Sequence, residues 1–191
     1  MTILIGGADT GVLNSALNTT GIANRVGDDG GDASSAMFVN LSNGNFVYRH
    51  EDSFLASQGA DFDLVRTYNA RAQMGDASGF GDSRWRLSTA VSLTERQSRG
   101  ETFYEVTWGD GAVSDYRFDA TTNTYVSTDG AGAYERLTIA NDGSAALLRA
   151  DQSTWTFDTQ GRLTGSVDTN GVSIAYAYNA GLLATVTDDA G

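Results

Sequence analysis

The chain of 191 residues contains neither cysteine nor proline, and His50 is its one histidine. The absence of cysteine excludes disulfides, thiolate catalysis and soft-metal thiolate sites. Proline lacks the N–H that a strand donates to its neighbour, so its absence is compatible with a chain dominated by paired strands. His50 stands in a strand-like run, which favours a hydrogen-bonded strand residue over a general base, and no Gly-x-Ser-x-Gly elbow supports a Ser-His-Asp triad. Candidate catalytic constellations are therefore scarce.

Lysine is also missing, because all 12 basic residues are arginine, and 24 acidic residues bring the net charge to −12. Binding to a phosphate backbone depends on Lys and Arg neutralising the phosphates, so nucleic acid is excluded as a partner. No apolar run approaches the roughly 18 residues of a membrane-spanning helix. Residues 1–7 lack the basic region and the longer apolar core of a secretory signal. The sequence therefore predicts no membrane span and shows no N-terminal signal peptide.

The residues that are present favour a folded protein, since 40% are hydrophobic and 10% aromatic. The length suffices for one β domain with a real core, or for part of a larger one. The composition changes along the chain, because residues 1–35 are rich in Gly, Ala, Asp, Asn and Ser. We predict a polar leader at 1–35, flexible or strand-donating, then a β region at 36–150 and a repeat region at 151–191.

Glycines recur at ten-residue intervals near the end of the sequence, at Gly161, Gly171, Gly181 and Gly191. A strand of about six residues and a turn of about four make a unit of that length. Glycine supplies the positive φ that tight turns require. The intervening stretches alternate apolar and polar residues, so that one strand face would carry Val172, Ile174, Tyr176 and Tyr178.

Strand signals also run through the middle of the chain. Asn43-Gly44, between 37–39 and 46–48, is a strong hairpin signal. The alternation over 62–68 is typical of a strand. Further strands are expected at 84–95, 102–108 and 112–118, with turns at Asp110-Gly111, Asp129-Gly130 and Asp142-Gly143. No stretch favours a helix, so the sequence predicts an all-β fold built from an antiparallel, repeating sheet.

The tail holds two copies of a longer unit of about twenty residues. The first copy begins at Phe157-Asp158 and the second at Tyr178-Asn179, with one residue fewer before the first glycine of the second copy. In both copies Leu follows that glycine by two residues, Asp follows it by seven and another Gly by ten. These shared positions are Leu163 and Leu183, Asp168 and Asp188, and Gly171 and Gly191.

This unit resembles that of the RHS/YD-repeat family, which combines an aromatic-Asp pair, a Gly-x-Leu and a closing Asp-x-x-Gly. Upstream segments are similar to other elements of the family. Residues 40–46 resemble its Val-x-x-x-Thr-Gly-x-Phe opening, and Arg66, Tyr68 and Asn69 match its Arg-x-Tyr-Asn signature. Gly79, Gly81 and Trp85 match its Gly-x-Phe-Gly-x-Gly-Trp element, although Ser83 replaces the last glycine. The resemblance covers roughly residues 36–191.

The resemblance implies a non-enzymatic segment of a hollow β-cage or shell, in a secreted or surface-delivered bacterial protein. Its partners would be further repeats of the same longer chain or neighbouring copies, and an enclosed C-terminal cargo domain. No cofactor, metal or catalytic residue is implied. Structural roles are expected for the turn residues Asp158, Asp168, Asp188 and the four glycines, and for the packing residues Leu163, Leu183, Tyr176 and Tyr178.

Other functions remain open from the residues alone. The chain could be an adhesin or a self-assembling fibre subunit that uses exposed strand edges. The three tryptophans and eight tyrosines could form a platform that binds glycans, although core packing is the simpler explanation. The Asp/Gly-rich residues 28–32 and Asp188-Asp189 resemble calcium turns superficially, but tandem nonapeptide repetition is missing, so we predict no metal there.

Overall fold

The computed structural model describes residues 2–5, 17–23, 35–40, 44–55, 62–71, 84–127 and 134–189. Every regular element in these ranges is a β-strand, and the strands pair in antiparallel fashion. The prediction of an all-β, antiparallel fold is therefore confirmed. Within the same ranges, no helix is long and apolar enough to cross a membrane.

The described residues form sixteen strands. In chain order they are β1 Thr2–Ile5, β2 Leu17–Ala23, β3 Ser35–Asn40, β4 Phe46–Leu55, β5 Phe62–Asn69, β6 Trp85–Leu87, β7 Ser92–Ser98, β8 Glu101–Thr107, β9 Val113–Asp119, β10 Thr124–Ser127, β11 Arg136–Ile139, β12 Ala145–Leu148, β13 Thr154–Phe157, β14 Leu163–Val167, β15 Ser173–Asn179 and β16 Leu182–Asp188. Two of them, β1 and β2, lie within the segment predicted as a leader.

The strands form two sheets, each ordered as in the sequence: β1 to β6 in the first and β7 to β16 in the second. The chain divides into two compact units along similar lines. The first unit contains Met1–Phe54, Asp63–Ala90 and Trp108–Val113, and the second contains Leu55–Phe62, Val91–Thr107 and Ser114–Gly191. Sequential antiparallel order needs only short connections, which the many turn signals of the sequence supply.

The first sheet buries one face. Alternation along β5 places Val65, Thr67 and Asn69 in the interior, while the residues between them are half-buried. Val47 of β4 is also buried, at 4% exposure. Two of the buried β5 side chains are polar, so this face depends on hydrogen bonds as well as on apolar contact.

The strands on either side of the predicted hairpin, β3 and β4, pair with Val39 opposite Phe46; Gly44 has φ 71°, and Asn43 lies outside the described residues. The predicted strand at 84–95 is wrong, because the chain turns after β6 and starts the second sheet with β7. Ser88 forms this interruption: its N–H donates to the Val65 carbonyl at 2.7 Å, and its Oγ accepts the Val65 N–H at 3.1 Å. These two bonds hold Ser88 against β5, so the chain does not continue as one strand through this position.

The second sheet has a continuous apolar face. Facing residues of successive strands form two adjacent rows: Leu137 lies opposite Leu147 in one, and Phe157 lies opposite both Ala145 and Leu163 in the other. Each of these five residues is at most 5% exposed. Fully burying one large apolar side chain stabilises the fold by about 1.5–3 kcal/mol, so these residues contribute several kcal/mol to the second unit.

The second sheet also curls back on its first strand. The N–H of Leu93, in β7, donates to the carbonyl of Gly161, in the turn between β13 and β14, at 2.7 Å. Ser92 and Arg162 form an isolated antiparallel bridge at the same place. These contacts connect the first strand of the sheet to a turn that lies six strands away in the pairing order.

Candidate functional site

Two successive turns, 158–162 and 168–172, share one hydrogen-bond pattern. The Oδ1 atom of the first residue accepts the backbone N–H of the third and fifth residues: Asp158 accepts those of Gln160 and Arg162, both at 2.9 Å. Asp168 accepts the equivalent two, both at 2.8 Å. The fourth residue has positive φ, 76° at Gly161 and 85° at Gly171. This is a three-residue loop with a left-handed residue, a common hairpin connection.

Three further turns have the same backbone pattern but carry the aspartate at their third position. They are 108–112, 140–144 and 149–153, with Asp110, Asp142 and Asp151. The sequence prediction included the first two, where Gly111 and Gly143 have positive φ. It missed the third, because the left-handed residue there is Gln152, at φ 68°. The signal that could have revealed it is the Asp-x-Ser spacing shared by 142–144 and 151–153.

The turn hydrogen bonds hold the carboxylates in their charged form. Backbone N–H bonds, first that of Val172, lower the pKa of Asp168 below its ordinary value. Partial burial acts to raise the pKa of Asp158, but the bonds from Arg162 and Gln160 outweigh it, and the net pKa is lowered. These aspartates are therefore ionised turn residues, and their acceptor capacity is used by the fold itself.

The predicted turn glycines differ in their surroundings. Gly161 is buried, and a Cβ built there would lie 1.8 Å from the Leu93 carbonyl oxygen. A Cβ at Gly171 or Gly181 would have no neighbouring heavy atom within 4 Å. Gly191 lies outside the described residues. Gly161 is thus required both by its φ and by close approach of backbone, whereas the other two are required by φ alone.

The two repeat copies keep one pairing although their turns differ in length. Phe157 lies opposite Leu163 in the first hairpin, and Tyr178 lies opposite Leu183 in the second. The second turn has two residues, Ala180 at φ 50° and Gly181 at φ 83°, which is the conformation of a type I′ turn. Its shorter length accounts for the missing residue in the second copy.

Both hairpins then contain a β-bulge at the same place. The register shifts next to Phe157 in the first and next to Tyr178 in the second, so that Thr164 and Ala184 are the extra residues. The copies therefore share an aromatic–Leu pair, a bulge and a turn. Leu163 is 1% exposed, and Leu183, Tyr176 and Tyr178 are half-buried.

Arg162 connects the first copy to the second. Its Nη2 lies 2.7 Å from Asp158 Oδ2, and its guanidinium lies over the Tyr178 ring, 4.8 Å from the centroid. An arginine in this position combines an ion pair with a cation–π contact. The other predicted aspartate, Asp188, ends β16 opposite Ile174 and is half-buried.

The upstream family-motif residues lie in the first unit, where Asn69 has the clearest role. Asn69 is fully buried at the end of β5, and its Nδ2 donates to the Asp110 carbonyl at 3.2 Å. Its Oδ1 accepts the N–H of Arg71 at 3.1 Å, as does Oδ1 of Asn45. Asn69 therefore fixes the path of the chain at the end of β5 and holds the 108–112 turn.

The remaining described motif residues form a half-buried aromatic cluster. Tyr68 lies opposite Trp85 with ring centroids 5.4 Å apart, and Tyr48 meets Trp85 edge-on at 5.9 Å. Arg66 lies over the Trp85 ring at 5.3 Å and binds Asp52 at 2.8 Å. These tilted and edge-on contacts are those of cross-strand packing. Gly79 and Gly81 lie outside the described residues.

Two buried polar networks were not predicted. Arg86 is 3% exposed, and its Nε donates to the Trp108 carbonyl at 3.1 Å and its Nη2 to the Ala90 carbonyl at 2.7 Å. Burial lowers the pKa of Arg86, and the Asp110 charge partly offsets this effect. The available sequence signal for burial was that Arg86 directly follows Trp85, but a charged residue is normally predicted to be exposed.

The second network lies in the second unit. The hydroxyl of Tyr116, which is fully buried, donates to Glu135 Oε2, and Arg149 Nε donates to Glu135 Oε1 at 3.0 Å. Glu135 is 4% exposed, and the guanidinium of Arg149 covers the Trp155 ring at 5.1 Å. Burial is the main cause of the raised pKa of Tyr116. One buried carboxylate thus links β9 to the residue that follows β12, from a position directly before β11.

Among the described residues, those considered for chemistry do not form a common cluster. His50 Nε2 lies 3.6 Å from Asp52 Oδ1, and its ring stacks on Tyr48. In the part of the chain that the structure describes, no three His, Cys, Asp or Glu side chains are grouped so that they could hold a metal ion. The Asp/Gly-rich residues 28–32 lie outside it. Among the tryptophans, Trp108 is buried and the other two are half-buried.

Sequential antiparallel hairpins, a recurring Asp/Gly turn and a repeated aromatic–Leu pair define a β-repeat protein. Residues 157–191 match the family described as RHS repeat, and residues 37–116 match a domain of unknown function, DUF6531. No curated protein sequence shows significant similarity to the chain. These two matches confirm the predicted resemblance to the RHS/YD-repeat family, with residues 157–191 as the repeat region.

Proposed function

We propose that this chain is a non-enzymatic wall segment of a bacterial RHS/YD-repeat shell that encloses and delivers a cargo domain, in a secreted or surface-exposed protein. The observation that carries the proposal is the equivalence of the two hairpins at β13–β16. Their aromatic–Leu pairs and bulges coincide, and Arg162 joins one copy to the next. Such a unit extends by addition of identical neighbours, as in other repeat architectures.

The order of the second sheet supports this function. β16 is the outermost described strand of this sheet. It pairs with β15, which carries the half-buried Tyr176 and Tyr178 on one face. An outer strand directs half of its backbone N–H and C=O groups away from the sheet, where another strand can pair with them. Further repeats of the same longer protein are the partners we propose.

The curl of the second sheet also supports a wall that bends. Contact between Leu93 and Gly161 brings the first strand of the sheet to a turn far along the pairing order. Together with the β-bulges, which increase local twist, this contact favours a curved rather than a flat surface. A curved sheet that is lengthened by repeated hairpins is suited to surround other polypeptide.

Proteolysis of the protein encoded by the whole gene tests this proposal. We expect the region that follows the repeats to resist protease while it is attached to them, and to be digested when it is produced alone. Equal digestion of that region in both forms would contradict encapsulation. Light scattering tests the adhesin or fibre alternative separately. If copies assemble edge to edge, the measured molar mass should increase with protein concentration.

A further inference from the structure

Positions 162 and 182 are equivalent in the two repeat copies. Each directly follows the turn glycine and directly precedes the leucine of the aromatic–Leu pair. At the first position, the Arg162 side chain is 33% exposed, and the ring of Tyr178 from the next hairpin lies against it. At the second position, Leu182 is 71% exposed. The next hairpin thus covers this position in the first copy, whereas in the second copy it is open.

A second difference accompanies the first. Where the first copy has the ion pair of Asp158 and Arg162, the second has Asn179 and Leu182. The charge is therefore lost at both positions together. The open position presents an aliphatic side chain beside the two-residue turn, and an aromatic ring placed over it would make an apolar contact in place of the cation–π contact.

We propose that Leu182 is the docking position for the aromatic side chain of one further hairpin of the same repeat, paired antiparallel with β16. This inference rests on the proposed function, because it requires that the wall continue beyond β16. The occupant follows from the internal precedent: the one interface between successive copies that the structure describes places Tyr178 against position 162. An added repeat places its own aromatic residue against position 182 in the same way.

The pairing of the backbone and the docking of the side chain contribute separately. Strand addition supplies hydrogen bonds between main chains, whereas pockets for particular side chains set which register is adopted. A β16 edge alone permits pairing in registers that differ by two residues. The aromatic–Leu182 contact selects one of them, so Leu182 determines register as well as affinity.

The experiment extends the full chain by a second copy of residues 172–189, fused directly after Gly191. Asp188 and Gly191 then take the places that Asp168 and Gly171 have in the preceding turn. Hydrogen exchange is measured at the amides of Leu182–Asp188, with and without the extension. We expect at least tenfold slower exchange in the extended chain, and loss of most of this protection in its Leu182→Asp variant.

Two controls accompany the extended chain. Replacing the appended tyrosine equivalent to Tyr178 by serine should reduce the protection as Leu182→Asp does. Tyr134→Asp changes another exposed side chain, 78% accessible and outside the repeats, and should leave the protection unchanged. Because Leu182 is exposed, its replacement in the unextended chain should leave the melting temperature within about 2 °C of the parent's value.

Each outcome distinguishes the two proposals. Protection that survives both Leu182→Asp and the appended tyrosine change would overturn the docking role of Leu182 and leave strand addition intact. No protection in an extended chain that keeps its folded second sheet would overturn continuation of the wall at β16, and the docking role with it. Protection in the unextended chain that rises with protein concentration would assign the edge to a second copy instead.

Discussion

Replacing Gly161 by alanine should destabilise the protein far more than the same change at Gly171. Both residues have positive φ, 76° and 85°. An L-residue in the left-handed region costs about 1–2 kcal/mol, and the lower entropy of the unfolded alanine chain offsets about 0.4–1 kcal/mol of this. A Cβ at Gly171 meets nothing within 4 Å, so the net loss there should be about 1 kcal/mol.

At Gly161 the conformational cost is the smaller part. The new Cβ would lie 1.8 Å from the Leu93 carbonyl oxygen. The backbone fixes the positions of both atoms, so no side-chain rotation relieves the overlap. The turn must move away from β7, which breaks the 2.7 Å hydrogen bond between Leu93 N–H and the Gly161 carbonyl. Leaving a buried donor or acceptor unpaired costs about 1–3 kcal/mol. The total for Gly161→Ala should therefore be about 2–4 kcal/mol.

Urea unfolding at equilibrium, followed by tryptophan fluorescence, measures both values. Gly181→Ala is the matched control, since Gly181 also has positive φ, at 83°, and open space around it. We expect Gly171→Ala and Gly181→Ala to agree closely and Gly161→Ala to exceed them by about 2 kcal/mol, roughly thirtyfold in the folding equilibrium constant. Equal losses at the three glycines would refute the reasoning, because they would show that β7 does not contact this turn. Faster exchange of the Leu93 amide in Gly161→Ala alone would locate the effect.

Three other perturbations test the buried groups and the turns. Asn69→Ala should lower the free energy of unfolding by about 2 kcal/mol, because it removes a fully buried side chain that bonds the Asp110 carbonyl and one of the two acceptors of the Arg71 amide. Urea unfolding measures this loss, and a change below about 0.5 kcal/mol would contradict the expectation. Glu135→Ala should cost about 3 kcal/mol, whereas Glu135→Gln should cost less because an amide oxygen can still accept hydrogen bonds. The pKa of Asp158 is lowered in the folded protein, so its ionised form stabilises the fold at pH values above its unfolded pKa. This stability is lost as the pH falls through the folded pKa. Asp158→Asn should therefore make the melting temperature fall less steeply as the pH is lowered.

Local patterns carried most of the fold prediction. Alternation and turn signals located the β3–β4 hairpin, β5 and the strands from β13 to β16, because these elements depend on residues that are close in the sequence. The single predicted strand at 84–95 failed for a different reason. Ser88 bonds to β5, which is distant in the sequence, and this contact bends the chain where its local pattern would continue.

The candidate site was less accessible from the sequence. Periodicity identified Gly161 as a turn residue, but the approach of Leu93 that makes it irreplaceable depends on how the sheet curls. Arg86 and Glu135 are charged, and charged residues are usually exposed, so no composition rule places them in the interior. Gln152 adopts a conformation that usually indicates glycine. In each case tertiary contacts outweigh the local preference.

The constant aromatic–Leu pair, combined with turns of two lengths, separates what must be preserved in this protein from what can vary. Phe157–Leu163 and Tyr178–Leu183 keep their pairing across loops of three and two residues, so the strands do not depend on one loop length. We therefore expect one residue added between Ala180 and Gly181, which gives the loop length of the first copy, to keep the Tyr178–Leu183 pairing. The 158–162 loop offers no such freedom, because β7 already occupies the space beside it.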